Sequence, residues 1–319
     1  MSRGHAEIVL LANPAAGGGR AKLALDCCVA ELARRGVAHR AIVADDPDDV
    51  RRQAAALAGR QLRVVAVGGD GLLRLVAGEL AGSGTPLAIC PAGRGNDFAR
   101  VLGIPREPAA AIAIALEGRE RTVDLGRVDG KPFLGIASLG FDSLANEIAN
   151  KVRVVRGQLV YALGALRALA QWRPARFEVV VDGREFELHG YAVAVANSGC
   201  YGGGMWLAPH ASLFDGYLDV VATAHASRLR LLRNLPRVFA GTHLALPEVI
   251  TDRGRTVTVI SDRSFDVYAD GDPVSRSPCT VTVERGSLRV VVAADRAEAT
   301  VLVPAESERT GSVVRTPGR

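Results

Sequence analysis

A glycine-rich turn near residue 70 places a single acid within flexible backbone. It reads Gly68-Gly69-Asp70-Gly71 and follows the apolar run Val64–Val67. Glycines let backbone N–H groups approach phosphate oxygens, and a carboxylate can hold the Mg²⁺ that bridges them. A hairpin is disfavoured, because residues of helical period follow directly: Leu72, Leu75, Val76 and Leu80. The turn predicts a site for phosphates, with Asp70 organising a metal ion.

Two further turns combine glycine with polar side chains. Asn13-Pro14-Ala15-Ala16-Gly17-Gly18-Gly19-Arg20 lacks Walker A spacing, so the residues alone fit either a phosphate cradle or a plain tight turn. The segment Pro91–Arg100 follows another apolar run and can contact phosphate or ribose. Its flexible and polar residues are Gly93, Gly95, Asn96 and Asp97. Asp97 is also placed to cap the helix that follows, and capping alone would explain it.

Alternating strand and helix patterns in the first 125 residues put these turns at strand ends. The predicted strands are Ile8–Ala12, His39–Val43, Leu62–Val67 and Pro86–Cys90. Strands that alternate with helices form parallel sheets, which bind ligands at the carboxyl ends of their strands. We therefore expect the three turns to converge on one ligand.

The second half of the sequence has the pattern of a sheet-rich domain. Its apolar runs are separated by the dipeptides Asp129-Gly130, Asp182-Gly183, Asp215-Gly216 and Asp270-Gly271, which are typical of hairpins. Two helices are predicted, near Gln158–Gln171 and Arg228–Phe239. We expect a nucleotide-binding α/β domain over residues 1–124, a β-rich domain over 125–303 and a disordered tail over 304–319.

Composition fits two ordinary globular domains. The chain has 319 residues, of which 48% are hydrophobic and 23% charged, enough apolar side chain for real cores. Five scattered cysteines form no C-x-x-C pair, so we expect reduced thiols with neither a zinc site nor disulfides. The net charge of +5 selects no partner by itself, and we expect none that is a nucleic acid.

No apolar stretch is long enough to span a bilayer, and the N-terminal residues do not resemble a signal peptide. We therefore expect a cytoplasmic protein. Two leucine-rich segments carry many cations and fit either a face that meets anionic lipid or a solvated helix face. These cations are Lys151, Arg153, Arg156, Arg167, Arg173, Arg176, Arg228, Arg230, Arg233 and Arg237.

Taken in order, the motifs resemble the catalytic domain of diacylglycerol kinases, including bacterial lipid kinases and sphingosine kinases. The resemblance is carried by Asn13-Pro14, Gly68-Gly69-Asp70-Gly71 and the run from Gly93 to Arg100. It continues through Gly140-Phe141-Asp142, Asn197, Gly202-Gly203-Gly204, Pro209, Ala211, Asp215-Gly216, Leu218-Asp219 and Asp270-Gly271. These motifs span about residues 8–295, nearly the whole chain.

The resemblance implies an N-terminal Rossmann-like α/β domain, a C-terminal β-sandwich and ATP in the cleft between them. It places Asn13, Gly17, Gly68, Asp70, Gly71 and Gly93 at the nucleotide. It also implies a structural Mg²⁺ on the Asp215 carboxylate, with backbone carbonyls of Ser212 and Tyr217. The expected reaction is ATP-dependent phosphorylation of a membrane lipid alcohol, with diacylglycerol as the expected acceptor, at the inner membrane face. A homodimer is left open.

Two residues depart from the family pattern. Leu72 stands where the family loop has threonine, which removes a hydroxyl that could bind phosphate. Asp272 stands where the family has the glutamate that resembles a general base. The shorter side chain must lie closer to the acceptor hydroxyl to reach it. We expect Asp272 to orient or deprotonate that hydroxyl.

Three alternatives stay open at this point. An NAD kinase also uses a Gly-Gly-Asp-Gly turn and an Asn-Glu pair, for which Asn146-Glu147 is available. A catalytically silent nucleotide- or lipid-binding regulator would account for Leu72 and Asp272. The apolar stripe Leu159, Leu163 and Leu166 fits a membrane-docking face but also an ordinary helix core.

Overall fold

The computed structural model describes residues 7–14, 19–141 and 172–294. Within them the strands are β1 Glu7–Ala12, β2 His39–Val43, β3 Leu62–Gly68, β4 Leu87–Pro91, β5 Arg119–Val128, β6 Lys131–Phe133, β7 Ile136–Gly140, β8 Ala175–Val181, β9 Arg184–Ala196, β10 Leu218–Ala224, β11 Val249–Gly254, β12 Thr256–Ser261, β13 Asp266–Ala269, β14 Asp272–Arg276 and β15 Cys279–Val292. The helices are α1 Arg20–Arg34, α2 Pro47–Leu57, α3 Asp70–Leu80, α4 Asp97–Val101, α5 Pro108–Glu117 and α6 Arg228–Ala240, and His243–Ala245 forms a 3₁₀ turn.

The first four strands form a parallel sheet in the order β2-β1-β3-β4. All four predicted strands are confirmed to within one residue at each end. β2 and β3 lie on opposite sides of β1, so the direction of winding reverses between β1 and β3. Open sheets of this type bind ligands in the crevice at that reversal, outside the carboxyl ends of the strands. The turns after β1 and β3 flank this crevice.

The remaining strands pair mainly in antiparallel fashion, as the hairpin pattern predicts. Asp129, Asp182 and Asp270 have positive φ angles of 46°, 47° and 52°, and each precedes a glycine that also has positive φ. This is the backbone of a tight hairpin turn, and the three turns join β5 to β6, β8 to β9 and β13 to β14. The fourth expected hairpin turn is wrong, because Asp215-Gly216 lies in a loop that leads into β10.

The long strand β15 connects the two halves of the molecule. Its first residues, Cys279 to Thr282, pair with β12. From Val281 to Val292 it also pairs with β5, with an irregularity between Glu284 and Leu288, and it meets β4 at Val290. The side chains of Leu288 and Val290 to Val292 belong to the core that the parallel sheet forms with α1 to α5, whereas Cys279 and Val281 belong to the core of the second half. The expected domain boundary near residue 124 stays a prediction, and the last residues of β15 pack in the first core.

The predicted helix Arg228–Phe239 is confirmed as α6, which continues to Ala240. The predicted helix Gln158–Gln171, the stripe Leu159, Leu163 and Leu166, and the predicted tail 304–319 lie outside the described residues. None of the described helices combines the length and apolar character that crossing a bilayer requires.

Candidate active site at the carboxyl edge of the parallel sheet

The turns that follow β3 and β4 touch each other through their backbones. A Cβ atom on Gly69 would lie 3.0 Å from the Cα of Gly93, and one on Gly93 would overlap the Cα of Gly69. No larger residue fits at either position without moving backbone. This contact confirms that the second and third glycine-rich turns converge, and it explains why both turns have glycine there.

Asp70 ties the two turns together. It is the first residue of α3, and its Oδ2 accepts the backbone N–H of Asn96 at 2.7 Å while Oδ1 accepts that of Phe98 at 3.4 Å. Burial raises the pKa of Asp70 to about 7, helped by the nearby carboxylates of Asp97 and Asp270 and opposed by the two N–H groups. Within the part of the chain that the structure describes, no cation offsets the burial of the charged form of Asp70.

Asn96 shapes the third turn from inside. Its backbone is left-handed, with φ of 54°, and its side chain closes the turn on Gly93 through bonds to the N–H at 2.8 Å and the carbonyl at 3.1 Å. Because the Asn96 side chain is buried and used in this way, the residue contributes a backbone N–H to Asp70 and holds the loop's shape.

Asp97 joins the first half of the molecule to the second. Its side chain was expected to cap α4, but no side-chain cap bond forms at that helix. Instead Oδ2 accepts the N–H of Gly203 at 2.8 Å, and Oδ1 lies 3.6 Å from the Nε of Arg100. The Gly202-Gly203-Gly204 motif thus docks on the third turn. A Cβ on Gly95 would lie 3.1 Å from both Asp70 Oδ2 and Asp97 Oδ2, so the two carboxylates flank Gly95.

Asp270 brings a third carboxylate to the same place. It occupies the turn between β13 and β14, and its oxygens accept the N–H groups of Leu134 and Gly135, both at 2.8 Å. Burial raises the pKa of Asp270 to about 6, although these N–H bonds lower it. The turn residue of a hairpin far along the chain therefore faces the acid that starts α3.

Asp272 lies beside the second turn, directly after Gly271 of the cleft wall. Its Oδ2 pairs with Nη2 of Arg74 at 3.2 Å and would lie 2.8 Å from a Cβ on Gly71. Arg74 projects from α3 and is buried, whereas the Asp272 side chain is about half exposed. Gly71 leaves room for this carboxylate, which is placed where a group arriving from solvent would meet the turn.

A cleft opens between these loops, with about 580 Å³ of empty space that includes open solvent at its entrance. Its walls include Asp70, Gly95, Asp97, Gly135, Ser138, Tyr201, Gly203, Tyr268 and Asp270. Three acids and several bare glycine backbones share this space. The arrangement suits a ligand that brings cations, such as a metal-bound polyphosphate.

The acid expected to hold structural magnesium has an arginine instead. Oδ2 of Asp215 is in direct contact with Nη2 of Arg253, and Oδ1 accepts the N–H of Tyr217 at 3.0 Å. Ser212 uses its hydroxyl to accept the N–H of Phe214 at 3.3 Å. Arg253 therefore neutralises the Asp215 carboxylate in this arrangement, and the expected magnesium site of Ser212, Asp215 and Tyr217 stays a prediction.

Metal binding at the cleft has better chemical support. Across residues 7–14, 19–141 and 172–294, no group of three or more histidine, cysteine or acidic side chains is arranged to hold a metal ion by itself. Asp70 and Asp270 nevertheless have the chemistry of a Mg²⁺ site, because burial and nearby carboxylates disfavour their charged forms and a divalent cation would relieve both effects. Oxygens from a ligand would have to complete the coordination.

The first turn is described only in part. Asn13 and Pro14 directly follow β1, whose last residue Ala12 pairs with Val67 of β3. They therefore lie beside the start of the second turn, as expected, while Gly17 lies outside the described residues.

Leu72 is buried, and its Cδ2 occupies the space where a Cβ on Gly68 would be. Any side chain at position 68 would therefore overlap Leu72, the residue that stands where the family loop has threonine.

Sequence reasoning missed Asp270 and Arg74 as members of this site. Asp270 belongs to a motif that was noted as a hairpin turn and as part of the family resemblance, without a role at the site, and Arg74 lies within the apolar face of α3. A buried arginine is rare unless it is paired, so a cation in that face was the available signal. Its partner Asp272 could not be identified without the fold.

Comparison with known proteins agrees with this architecture. Residues 7–128 match the family model of the diacylglycerol kinase catalytic domain, and residues 135–292 match that of the YegS C-terminal NAD kinase beta sandwich-like domain. The chain is 39% identical over 293 residues to a protein named diacylglycerol kinase from Mycobacterium tuberculosis, covering 89% of this chain and 94% of that protein. It is 31% identical over 241 residues to a Bacillus subtilis protein of the same name, covering 74% and 79%.

A solved structure shows the same fold at lower identity. The crystal structure of a diacylglycerol kinase from Bacillus anthracis str. Sterne superposes with a TM-score of 0.71 at 20% identity, covering 90% of this chain and 96% of that one. The fold is therefore an N-terminal catalytic α/β domain followed by a β-sandwich-like domain. With relatives of this identity and coverage, the chain belongs to the diacylglycerol kinase family of lipid kinases.

Proposed function

We propose that the protein transfers the γ-phosphoryl group of ATP to the hydroxyl of diacylglycerol at a membrane surface and releases phosphatidic acid. The observation that carries the proposal is the contact between two glycine turns that Asp70 joins. Asp70 lines a cleft whose walls also include residues of the second half of the chain. Bare backbone beside a buried acid suits a metal-bound triphosphate. The names of the relatives support the lipid acceptor.

The nucleotide is held by backbone at the strand ends in this proposal. The residues assigned to it are Asn13, Pro14, Gly17, Gly68, Gly69, Gly71, Gly93, Gly95, Asn96 and Asp97. Glycine at 69 and 93 is required for the loops to touch, and Asn96 fixes the turn from inside. Small deviations in these loops would misplace the γ-phosphate, because phosphoryl transfer depends on positioning.

Asp70 would hold Mg²⁺ together with the phosphate oxygens, and Asp97 and Asp270 add negative charge nearby. When bound, the metal neutralises charge that develops on the phosphoryl oxygens. Asp70 also keeps the two turns in register through its bonds to Asn96 and Phe98. Its replacement would thus remove both a metal ligand and a loop contact.

Asp272 would act on the acceptor. The lipid hydroxyl oxygen attacks the γ-phosphorus, the bond to the ADP oxygen breaks, and the hydroxyl proton passes to the Asp272 carboxylate. Asp272 fits this role better than Asp270, because both Asp270 oxygens accept backbone N–H groups, whereas the Asp272 side chain is about half exposed beside Gly71. Arg74 holds the Asp272 carboxylate in place.

The test is incubation of purified protein with labelled ATP, Mg²⁺ and vesicles that contain diacylglycerol, with NAD in a parallel reaction. We expect label on diacylglycerol and none on NAD. Label on NAD alone would contradict the proposal in favour of an NAD kinase. ATP binding without label on diacylglycerol or on any component of a total lipid extract would indicate a silent regulator. A labelled lipid other than diacylglycerol would correct the acceptor and keep the lipid kinase.

A further inference from the structure

Helix α6 lies on the surface with its apolar side turned away from the protein. None of its residues is buried. Four large apolar side chains are exposed: Leu229 at 77%, Leu232 at 40%, Leu235 at 38% and Phe239 at 46%. A surface helix ordinarily turns its apolar stripe to the core. The reverse arrangement exposes a continuous apolar face, since residues at these spacings share one side of a helix.

The inward side of α6 is formed by other residues. Leu231 packs against Trp172 and Tyr191, and Val238 packs against the cluster that contains Leu207. Asn234 donates to the carboxylate of Glu248 at 3.2 Å. The helix is therefore fixed to the domain through Leu231, Asn234 and Val238, while its outward leucines and phenylalanine stay partly exposed to solvent.

The charge of α6 has one sign. The helix contains Arg228, Arg230, Arg233 and Arg237 and no acid. Arg230 pairs with Glu248 at 2.8 Å, and Arg228 donates to the neutral carbonyl of Trp172. Arg233 and Arg237 have no ion pair within the described ranges. An apolar face flanked by arginines is complementary to anionic lipid, where the apolar side chains enter the acyl boundary and the cations meet headgroups.

The positive charge of α6 also favours one binding partner for its exposed face, a lipid surface, over another, a second copy of the chain. A second copy of the chain that used α6 symmetrically would bring like-charged arginines together beside the apolar contact, which disfavours a dimer through this face. An anionic membrane brings the opposite charge and accepts the apolar side chains. The helix thus fits a lipid surface better than itself.

Helix α6 packs against a loop, residues 201–209, that also lines the cleft. The backbone N–H of Trp206 donates to the carbonyl of Val238 at 3.0 Å, and Gly241 at the helix end lies against Trp206 and Pro209. The same loop runs back to Tyr201 and Gly203, which line the cleft, and Gly203 is bound to Asp97. A membrane contact at α6 is therefore fixed relative to the catalytic loops.

We propose that α6 is the membrane-docking element of the enzyme, with Leu229, Leu232, Leu235 and Phe239 inserted at the interface of an anionic bilayer and Arg233 and Arg237 on its headgroups. Its purpose rests on the proposed function, because docking brings the cleft to a lipid acceptor. Binding to vesicles can nevertheless be measured without any turnover.

The first experiment is co-sedimentation of the full chain with phosphatidylcholine vesicles that contain or lack phosphatidylglycerol. Two paired variants remove each feature: Leu232→Gln with Phe239→Gln, and Arg233→Gln with Arg237→Gln. Exposed residues elsewhere give matched controls, Leu23→Gln on α1 and Arg60→Gln after α2. We expect the wild type and both controls to bind anionic vesicles. The arginine pair should bind about thirtyfold more weakly and the apolar pair at least about tenfold more weakly.

A second readout separates docking from catalysis. Phosphorylation of a water-dispersed short-chain diacylglycerol should be unchanged in both pairs, while phosphorylation of vesicle diacylglycerol falls with binding. Loss of both activities together with a lower melting temperature would indicate misfolding, and single substitutions Arg233→Gln and Phe239→Gln then give the vesicle readout. If the wild type phosphorylated neither substrate, the proposed function would fail while sedimentation still decided the role of α6.

Two results would overturn the inference. One is unchanged sedimentation of both paired variants with anionic vesicles. The other is a dimer in solution that the apolar pair converts to monomer while vesicle binding is unaffected, since this would identify a second copy as the occupant of α6.

Discussion

Two aspartates followed by glycine, Asp70 and Asp215, have opposite electrostatic surroundings. Among the described residues, the carboxylates of Asp97 and Asp270 raise the pKa of Asp70, and its oxygens accept the backbone N–H groups of Asn96 and Phe98. Asp215 lies against Arg253, which also stands 3.9 Å from Asp219. In the proposed function the first acid is neutralised by a metal ion, whereas the second is paired with an arginine of the protein. A local sequence motif does not distinguish these cases, because the deciding neighbours come from distant parts of the chain.

The largest expected effect is on phosphoryl transfer. Asp70→Asn should lower the turnover of diacylglycerol by about a thousandfold, because it removes a metal ligand where transition-state charge develops. Asp215→Asn should lower it less than about tenfold, since Arg253 already occupies that carboxylate. Labelled-ATP assays measure both rates. Equal losses in the two variants would break the comparison, and Asp26→Asn, an exposed acid on α1, controls for loss of charge alone.

Asp272 resembles Asp215 in having an arginine partner and Asp70 in its place beside the second glycine-rich turn. If it takes the hydroxyl proton, Asp272→Asn should reduce turnover about a hundredfold or more with little change in ATP affinity. The matched variant Asp270→Asn tests the alternative base. A larger loss of turnover in Asp270→Asn than in Asp272→Asn, at equal melting temperature, would exchange the two roles.

A smaller effect is expected on stability in the absence of Mg²⁺. Folding raises the pKa of Asp70 from 3.8 to about 7, so between these values the folded protein holds a proton that the unfolded chain has released. The free energy of unfolding must therefore fall as pH rises through this window. Asp70→Asn removes the titration while keeping an acceptor oxygen. It should raise the free energy of unfolding by about 1–3 kcal/mol near pH 8 and change it little near pH 4.

Denaturant unfolding at both pH values checks this stability prediction. Asp26→Asn, which lies in solvent, should show no such pH-dependent gain. A variant Asp70→Asn that is less stable than the wild type at both pH values would mean that the carboxylate is favoured in its charged form. That result would remove the electrostatic difference between the two regions.

The smallest expected effect concerns magnesium at Asp215. Burial raises the pKa of Asp219 to about 6, Arg253 lowers it, and Asp215 raises it. Because Arg253 already neutralises the Asp215 carboxylate, Asp215→Asn should not change how much Mg²⁺ raises the melting temperature. Thermal melts with Mg²⁺ or a chelator measure this. Loss of a Mg²⁺-dependent rise in Asp215→Asn would restore the structural metal site that the family resemblance implied.

Much of the architecture could be predicted because local patterns determine it. The β-branched runs gave all four parallel strands, and three Asp-Gly dipeptides marked tight hairpins. Long-range contacts could not be predicted from local patterns. Asp97 was expected to cap α4, but its side chain accepts the N–H of Gly203, which is more than a hundred residues away. In the same way, only the fold reveals that Arg74 meets Asp272 and that α6 turns its leucines outward.

The most direct test of the central claim is the affinity of the protein for ATP with and without Mg²⁺, measured by calorimetry on the wild type and Asp70→Asn. If the turns at the sheet edge bind the phosphates and Asp70 holds the metal, the wild type should bind ATP at least about tenfold more tightly with Mg²⁺. Asp70→Asn should lose that gain. Equal affinity of the two proteins for magnesium-bound ATP would show that the nucleotide is bound without Asp70 and would contradict the account.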